Sequence, residues 1–245
     1  MTKYILLICF ACCIFSCGDD EPKLVEQLSL TYEFTIDDQP IKLGENYELN
    51  GSTVMFEVAN YYVHGLRMSS ANDGVIIANE ADHLLAGLNN TSSLIGLNIE
   101  PSTIVTTRVI IGVDDASNAQ SETDFTERST DDPLGLKDPA MHWNWNSGYK
   151  FVRFDGEVDT DGDGVVDTPI AYHIGSNPLR KTLELNSSIN LESGNNDAIM
   201  SMDLNEFFKG VDFQLEENWD THTGNNLDLA KLLVSNMESS FSLIQ

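Results

Sequence analysis

Tyr47-Glu48-Leu49-Asn50-Gly51-Ser52-Thr53-Val54-Met55-Phe56-Glu57-Val58-Ala59-Asn60-Tyr61-Tyr62-Val63-His64-Gly65-Leu66-Arg67-Met68 decides the fold class. Asn50-Gly51 separates two β-forming runs and suits a tight hairpin turn that needs left-handed backbone. Val54, Phe56 and Val58 alternate with other residues, and Tyr62, His64, Leu66 and Met68 continue a period of two, as a half-buried strand requires. The same period recurs on either side. Leu28, Leu30, Tyr32, Phe34 and Ile36 alternate with polar neighbours, and Asp37-Asp38-Gln39-Pro40 reads as a turn. Residues 104–113 read as a central strand; Ile170, Tyr172 and Ile174 mark another. Residues 182–189 and 199–204 give two more, and Asn205-Glu206-Phe207-Phe208 a turn. Leu229, Leu232, Leu233, Asn236 and Met237 lie at helical spacing. The expected fold is mainly β: a single β-sandwich-like domain with a short C-terminal helix. Residues 72–91 are weakly patterned, and His83 there reads as structural. Residues 114–139 read as a long acidic loop, a feature usually functional or mobile.

Met1-Thr2-Lys3 and the apolar run Tyr4 to Phe15 form a leader too short to span a bilayer as a helix. Ser16-Cys17 has the form of a bacterial lipobox, so the sequence predicts a signal peptide over 1–16 and lipidation of Cys17. An acidic tether over 17–27 and one domain over 28–245 follow. Gly18-Asp19-Asp20-Glu21 resembles the acidic export tag of surface lipoproteins. An outer-membrane lipoprotein is expected, on its periplasmic or cell-surface face.

All four cysteines (Cys9, Cys12, Cys13 and Cys17) fall in the leader or at the anchor. The mature domain then has no disulfide, thiolate metal site or cysteine nucleophile. Any metal must use imidazole, carboxylate, carbonyl or a modified side chain. The formal net charge of −26 opposes nucleic-acid binding and electrostatic docking to an anionic bilayer, and favours cations.

Two stretches carry chemistry. Ala140-Met141-His142-Trp143-Asn144-Trp145-Asn146-Ser147-Gly148-Tyr149-Lys150-Phe151 puts Trp143 and Trp145 on one face of an extended chain, with His142 on the other. An aromatic strand of this kind can simply pack a core. Asp159-Thr160-Asp161-Gly162-Asp163-Gly164-Val165-Val166-Asp167 has the spacing of a calcium loop, with Asp159, Asp161, Asp163 and Asp167 offering carboxylates and Val165 its carbonyl. The twelfth place is Ile170 rather than Glu, so this is a short loop inserted over 159–167 and not an EF-hand.

Met141 to Phe151, followed by Phe154-Asp155-Gly156 and Tyr172-His173-Ile174-Gly175, resembles the MbnP-like family, copper-binding proteins named for a methanobactin-associated member. Tyr61-Tyr62-Val63-His64-Gly65-Leu66-Arg67 and Ile110-Ile111-Gly112-Val113-Asp114, with Asn118, match further blocks in the same order. The resemblance implies copper held by histidines together with a kynurenine. An intact indole offers no lone pair to a metal. The resemblance also implies a di-haem cytochrome c peroxidase-like partner that oxidises Trp143 or Trp145. It nominates His64, His173 and His222 as ligands, with His142 in reserve.

The alternative is a calcium-stabilised surface module whose tryptophans stack on carbohydrate. Histidines gathered around a tryptophan would favour copper; scattered histidines beside an open aromatic platform would favour sugar. No nucleophile motif or spaced acid–base pair stands out, so an enzyme is not expected.

Overall fold

The computed structural model describes residues 23–71, 74–79, 82–88, 92–144 and 147–245. Cys17, the leader and Trp145 lie outside them. The chain opens with β1 (Val25–Ile36), whose Leu28, Leu30, Tyr32, Phe34 and Ile36 are all buried. A turn with positive φ at Asp37 and Asp38 leads to β2 (Gln39–Pro40). Then β3 (Asn46–Leu49) and β4 (Ser52–Ser70) form the hairpin around Asn50-Gly51, both at positive φ. Next come β5 (Gly74–Asn79), β6 (Leu84–Gly87), β7 (Ser92–Ile99) and β8 (Ser102–Ile111).

The expected acidic loop is not one open loop. It holds α1 (Asp115–Asn118), capped by Asp114, and α2 (Glu122–Thr126), which begins in a capping box of Ser121 and Asp124. It then returns through the short hairpin β9 (His142–Asn144) and β10 (Gly148–Tyr149). Two long strands follow, β11 (Val152–Val158) and β12 (Thr168–Ile174), joined by the acidic loop. The chain ends with β13 (Lys181–Leu191), β14 (Gly194–Asp203), α3 (Leu204–Phe207), β15 (Asp220–Thr221), α4 (Leu227–Ser240) and β16 (Phe241–Ile244). The turn expected at Asn205 is thus a helical turn capped by Asp203, and β16 continues directly from the predicted helix. No helix among the described residues is long and apolar enough to cross a membrane.

Two sheets form the sandwich. One has the order β16-β14-β1-β2, with β7 also on β1; the other runs β13-β8-β4-β11-β12-β15, with β3, β5 and β6 on β4. Their inner faces share an aromatic core in which Phe34 meets Tyr61 at 5.4 Å and Phe154 at 5.6 Å, edge to face.

The long strand β4 departs from simple alternation, and the departure shapes the molecule. Opposite β11 the register slips between Asp155 and Gly156, leaving Glu57 as a bulge. The inward phase therefore passes from Val54 and Phe56 to Ala59, Tyr61 and Val63. Gly65, at φ +66, marks a second irregularity, after which Leu66 and Met68 are again in the main core. Between the two, Tyr62 packs into a second, smaller core with Val113, Phe125, Leu134, Met141, Tyr149 and Phe151. The described residues of segment 114–150 therefore form a lid on the outer face of the larger sheet. It is tied down where the Tyr62 hydroxyl donates to Pro133 O at 3.0 Å and the Tyr149 hydroxyl to Leu134 O at 2.7 Å.

Candidate metal centre

The rim of the larger sheet brings two of the nominated histidines together. Strand β15 pairs in parallel with β12, matching Tyr172 to Thr221. His173 and His222, each one residue further on, become neighbours across strands spaced roughly 4.8 Å apart. Their Nδ1 atoms are 2.9 Å apart, and the ring centroids 4.7 Å. Two imidazole nitrogens bound to one ion at about 2.0 Å sit about 3 Å apart, so the pair already has the spacing of a chelate.

The second ring nitrogens fix the tautomers. His173 Nε2–H donates to Asp155 Oδ1 at 2.5 Å, which leaves a lone pair on Nδ1. In the metal-free protein His222 Nδ1–H then donates to it. Asp220 lies 3.8 Å from His222 Nε2, ready to accept from that nitrogen once Nδ1 gives up its proton. Asp155 is itself held by Arg153, whose Nε donates at 2.5 Å. Burial opposes ionisation of Asp155, but the bond from His173 and the neighbouring Arg153 guanidinium outweigh it, and its carboxyl stays below the usual range. Burial also dominates at His173, holding it below its ordinary 6.5 against the pull of Asp155, so its lone pair is available at neutral pH.

His222 sits on a tight loop. Thr223 is at φ +62, its hydroxyl donates to His173 O at 3.2 Å, and it accepts from Gly175 N–H at 3.0 Å. Asn225 Oδ1 accepts from His222 N–H at 2.6 Å.

Trp143, on β9, completes the cluster. Its ring lies edge-on at 5.7 Å from His173 and 5.9 Å from His222, with Lys150 Nζ 5.2 Å from its centroid. Close approach depends on Gly175. A Cβ there would lie 2.2 Å from Tyr149 O and 3.0 Å from both Lys150 Cα and Trp143 Nε1. Gly148, at φ +71, makes a similar close approach to Asn118, whose Oδ1 accepts from Tyr149 N–H at 2.9 Å. The blocks that carry the family resemblance thus touch one another around this rim.

His64 is elsewhere. It lies beyond β11 and four residues along β4 from the position level with His173, on the order of 15 Å away by sheet spacings. Its Nδ1 meets Gly112 O at 3.0 Å and its ring stacks at 5.0 Å on His83, which had read as a lone structural residue. His83 Nε2 is 3.1 Å from Asp114 Oδ2. His142 is not in the cluster either: it stacks on Phe125 at 3.8 Å, on the apolar side of the lid. Sequence reasoning missed Asp155, Arg153 and Asp220. The available signal was the outward phase of β11, which places Arg153 opposite His173.

In the acidic loop, ligand oxygens of Asp159, Asp161 and Asp163 lie within 4.8 Å of one another; Asp167 is outside that group. Asp159 accepts from Gly162 N–H at 2.7 Å and Gly164 N–H at 2.9 Å, and these bonds lower its carboxyl. The Val165 side chain is exposed and its N–H donates to Asp163 Oδ1 at 2.8 Å.

A paired imidazole at the rim of a sandwich, beside an aromatic strand, makes a candidate metal centre on a β-sandwich. The MbnP family model matches residues 25–227, and the chain belongs to that family. The solved structure of MbnP from Methylosinus trichosporium has the same fold, with a TM-score of 0.53 at 15% identity over 77% of this chain and 79% of that one. No curated protein matches it in sequence.

Proposed function

We propose that this chain is an extracytoplasmic copper-binding protein, lipid-anchored through Cys17, that takes part in copper sequestration, uptake or delivery and is not an enzyme. Family membership supports a copper-related role. The convergence of His173, His222 and Trp143 carries the finer reading, because gathered histidines distinguish copper from a carbohydrate platform. The Nδ1 atoms of His173 and His222 are two ligands and Trp143, as kynurenine, supplies an aryl amine as the third. Copper suits such a nitrogen set. Making kynurenine breaks the indole C2–C3 bond. Four electrons pass to two molecules of peroxide, reduced at a di-haem peroxidase-like partner, and water then releases C2 as formate.

The chain made alone should bind copper weakly. Made with such a partner, it should show one tryptophan with a carbon exchanged for an oxygen, mapped to Trp143, and tighter binding. Intact tryptophans in native-host protein that still binds copper tightly would refute the modification.

Calcium in the 159–167 loop is the companion proposal, motivated by the three converging carboxylates. Calorimetry should show millimolar or tighter binding that Asp161→Ala weakens strongly while copper binding persists. No heat at millimolar calcium would sink it.

A further inference from the structure

We propose that His64 and His83 hold a second transition-metal ion, at a site distinct from the His173–His222 centre. Each ring has one nitrogen engaged and the other left over. His64 Nδ1–H donates to Gly112 O, which leaves the lone pair on Nε2. His83 Nε2 lies 3.1 Å from Asp114 Oδ2, nearer than the Asp114 N–H at 3.5 Å, so it donates to the carboxylate and the lone pair is left on Nδ1. An imidazole whose far nitrogen is bound to a carbonyl or a carboxylate is the usual arrangement around a bound metal, since that partner fixes both tautomer and ring direction.

The spacing agrees. Ring centroids of two imidazoles on one tetrahedral ion, with nitrogens about 2.0 Å from it, are about 5 Å apart. His64 and His83 are at 5.0 Å with their planes 24° apart, so a turn of one ring about its side chain brings both lone pairs onto one ion. A packed pair with no other purpose would sit in an apolar setting, yet these rings stand between two cavities. One, of about 470 Å³, is lined by His83, Asp82, Asp114, Asp132 and Arg128. The other, of about 190 Å³, is lined by His64 and His83, with Asp82 again at its wall. Among the described residues the one cation on these walls is Arg128, and it is paired with Asp132 at 2.6 Å. The remaining carboxylates favour a cation, and either cavity has room for water or a small ligand to complete the coordination. With imidazole donors and no thiolate, the ion is of the zinc or copper(II) class.

The test uses the whole chain carrying H173A and H222A, with excess calcium to occupy the acidic loop. It is titrated with zinc and, separately, with copper(II). The variant should bind one equivalent of either metal, and copper(II) EPR should show two imidazole nitrogens without any further substitution. Adding H83Q should weaken binding at least tenfold, and D114N by roughly 10–100-fold. Each outcome is read against a melting curve, so that loss of metal in a folded variant is separated from unfolding. No bound equivalent in H173A/H222A overturns the proposal. So does one that lacks two imidazoles in EPR, or that survives both H64Q and H83Q at full affinity. Neither result bears on the Trp143 centre, which that background lacks.

Discussion

Copper affinity in His222→Ala should fall by well over 100-fold, with the melting temperature nearly unchanged. The side chain is 44% exposed, so the fold loses little with it. His173 keeps its bond to Asp155 but has no second imidazole facing it. Asp155→Asn tests the same centre from behind. The histidine loses its charged acceptor and the ring its fixed tautomer, so affinity should drop about 10–100-fold, the usual effect of removing a carboxylate that orients a metal-bound histidine. Competition against a chelator of known affinity measures both. If His222→Ala binds copper as tightly as the parent, the ligand assignment fails, whatever Trp143 has become.

Gly175→Ala should damage stability and copper binding together. The new methyl would sit 2.2 Å from Tyr149 O and 3.0 Å from Lys150 Cα, and backbone cannot yield as a flexible side chain can. Forced repacking costs about 1–3 kcal/mol. In a domain of this size that lowers the melting point by roughly 2–4 °C per kcal/mol. The shift also pushes Trp143 away from His173. Gly224→Ala, a few residues along from His222, is the control, since its added Cβ meets nothing within 4 Å. Equal melting points for the two variants would show that the close approach at Gly175 carries no strain.

Period and turn chemistry were legible because they are local. Asn50-Gly51 turns where its dihedral preferences require, and the buried positions of β1 follow its alternation. The phase of β4 was not legible. Two irregularities swap its faces, and nothing in the residues near Glu57 announces the first. The lid was misread as an open loop because Phe125 and Leu134 are too sparse to show a period, although each is buried.

The histidines divide the same way. His173 was visible as the outward residue of an alternating strand, but its pairing with His222 depends on a parallel contact between segments far apart in the chain. His64 joins them through the family resemblance, and a resemblance along the chain carries no lateral distance. Its actual neighbour, His83, lies in a stretch with little pattern at all.

The parallel contact between β12 and β15 has a mechanical consequence. His222 comes just before α4, and α4 runs directly into β16, the edge strand of the opposite sheet. An ion shared by His173 and His222 therefore staples the last two dozen residues to the β11–β12 hairpin. Binding energy of that kind acts as a clasp on local opening. By reciprocity, whatever peels the 219–226 loop from the rim loosens the ion, and loading the ion resists the peeling. On the proposed reading, retention and release of the ion would follow opening of the 219–226 loop, with the sandwich itself left undisturbed.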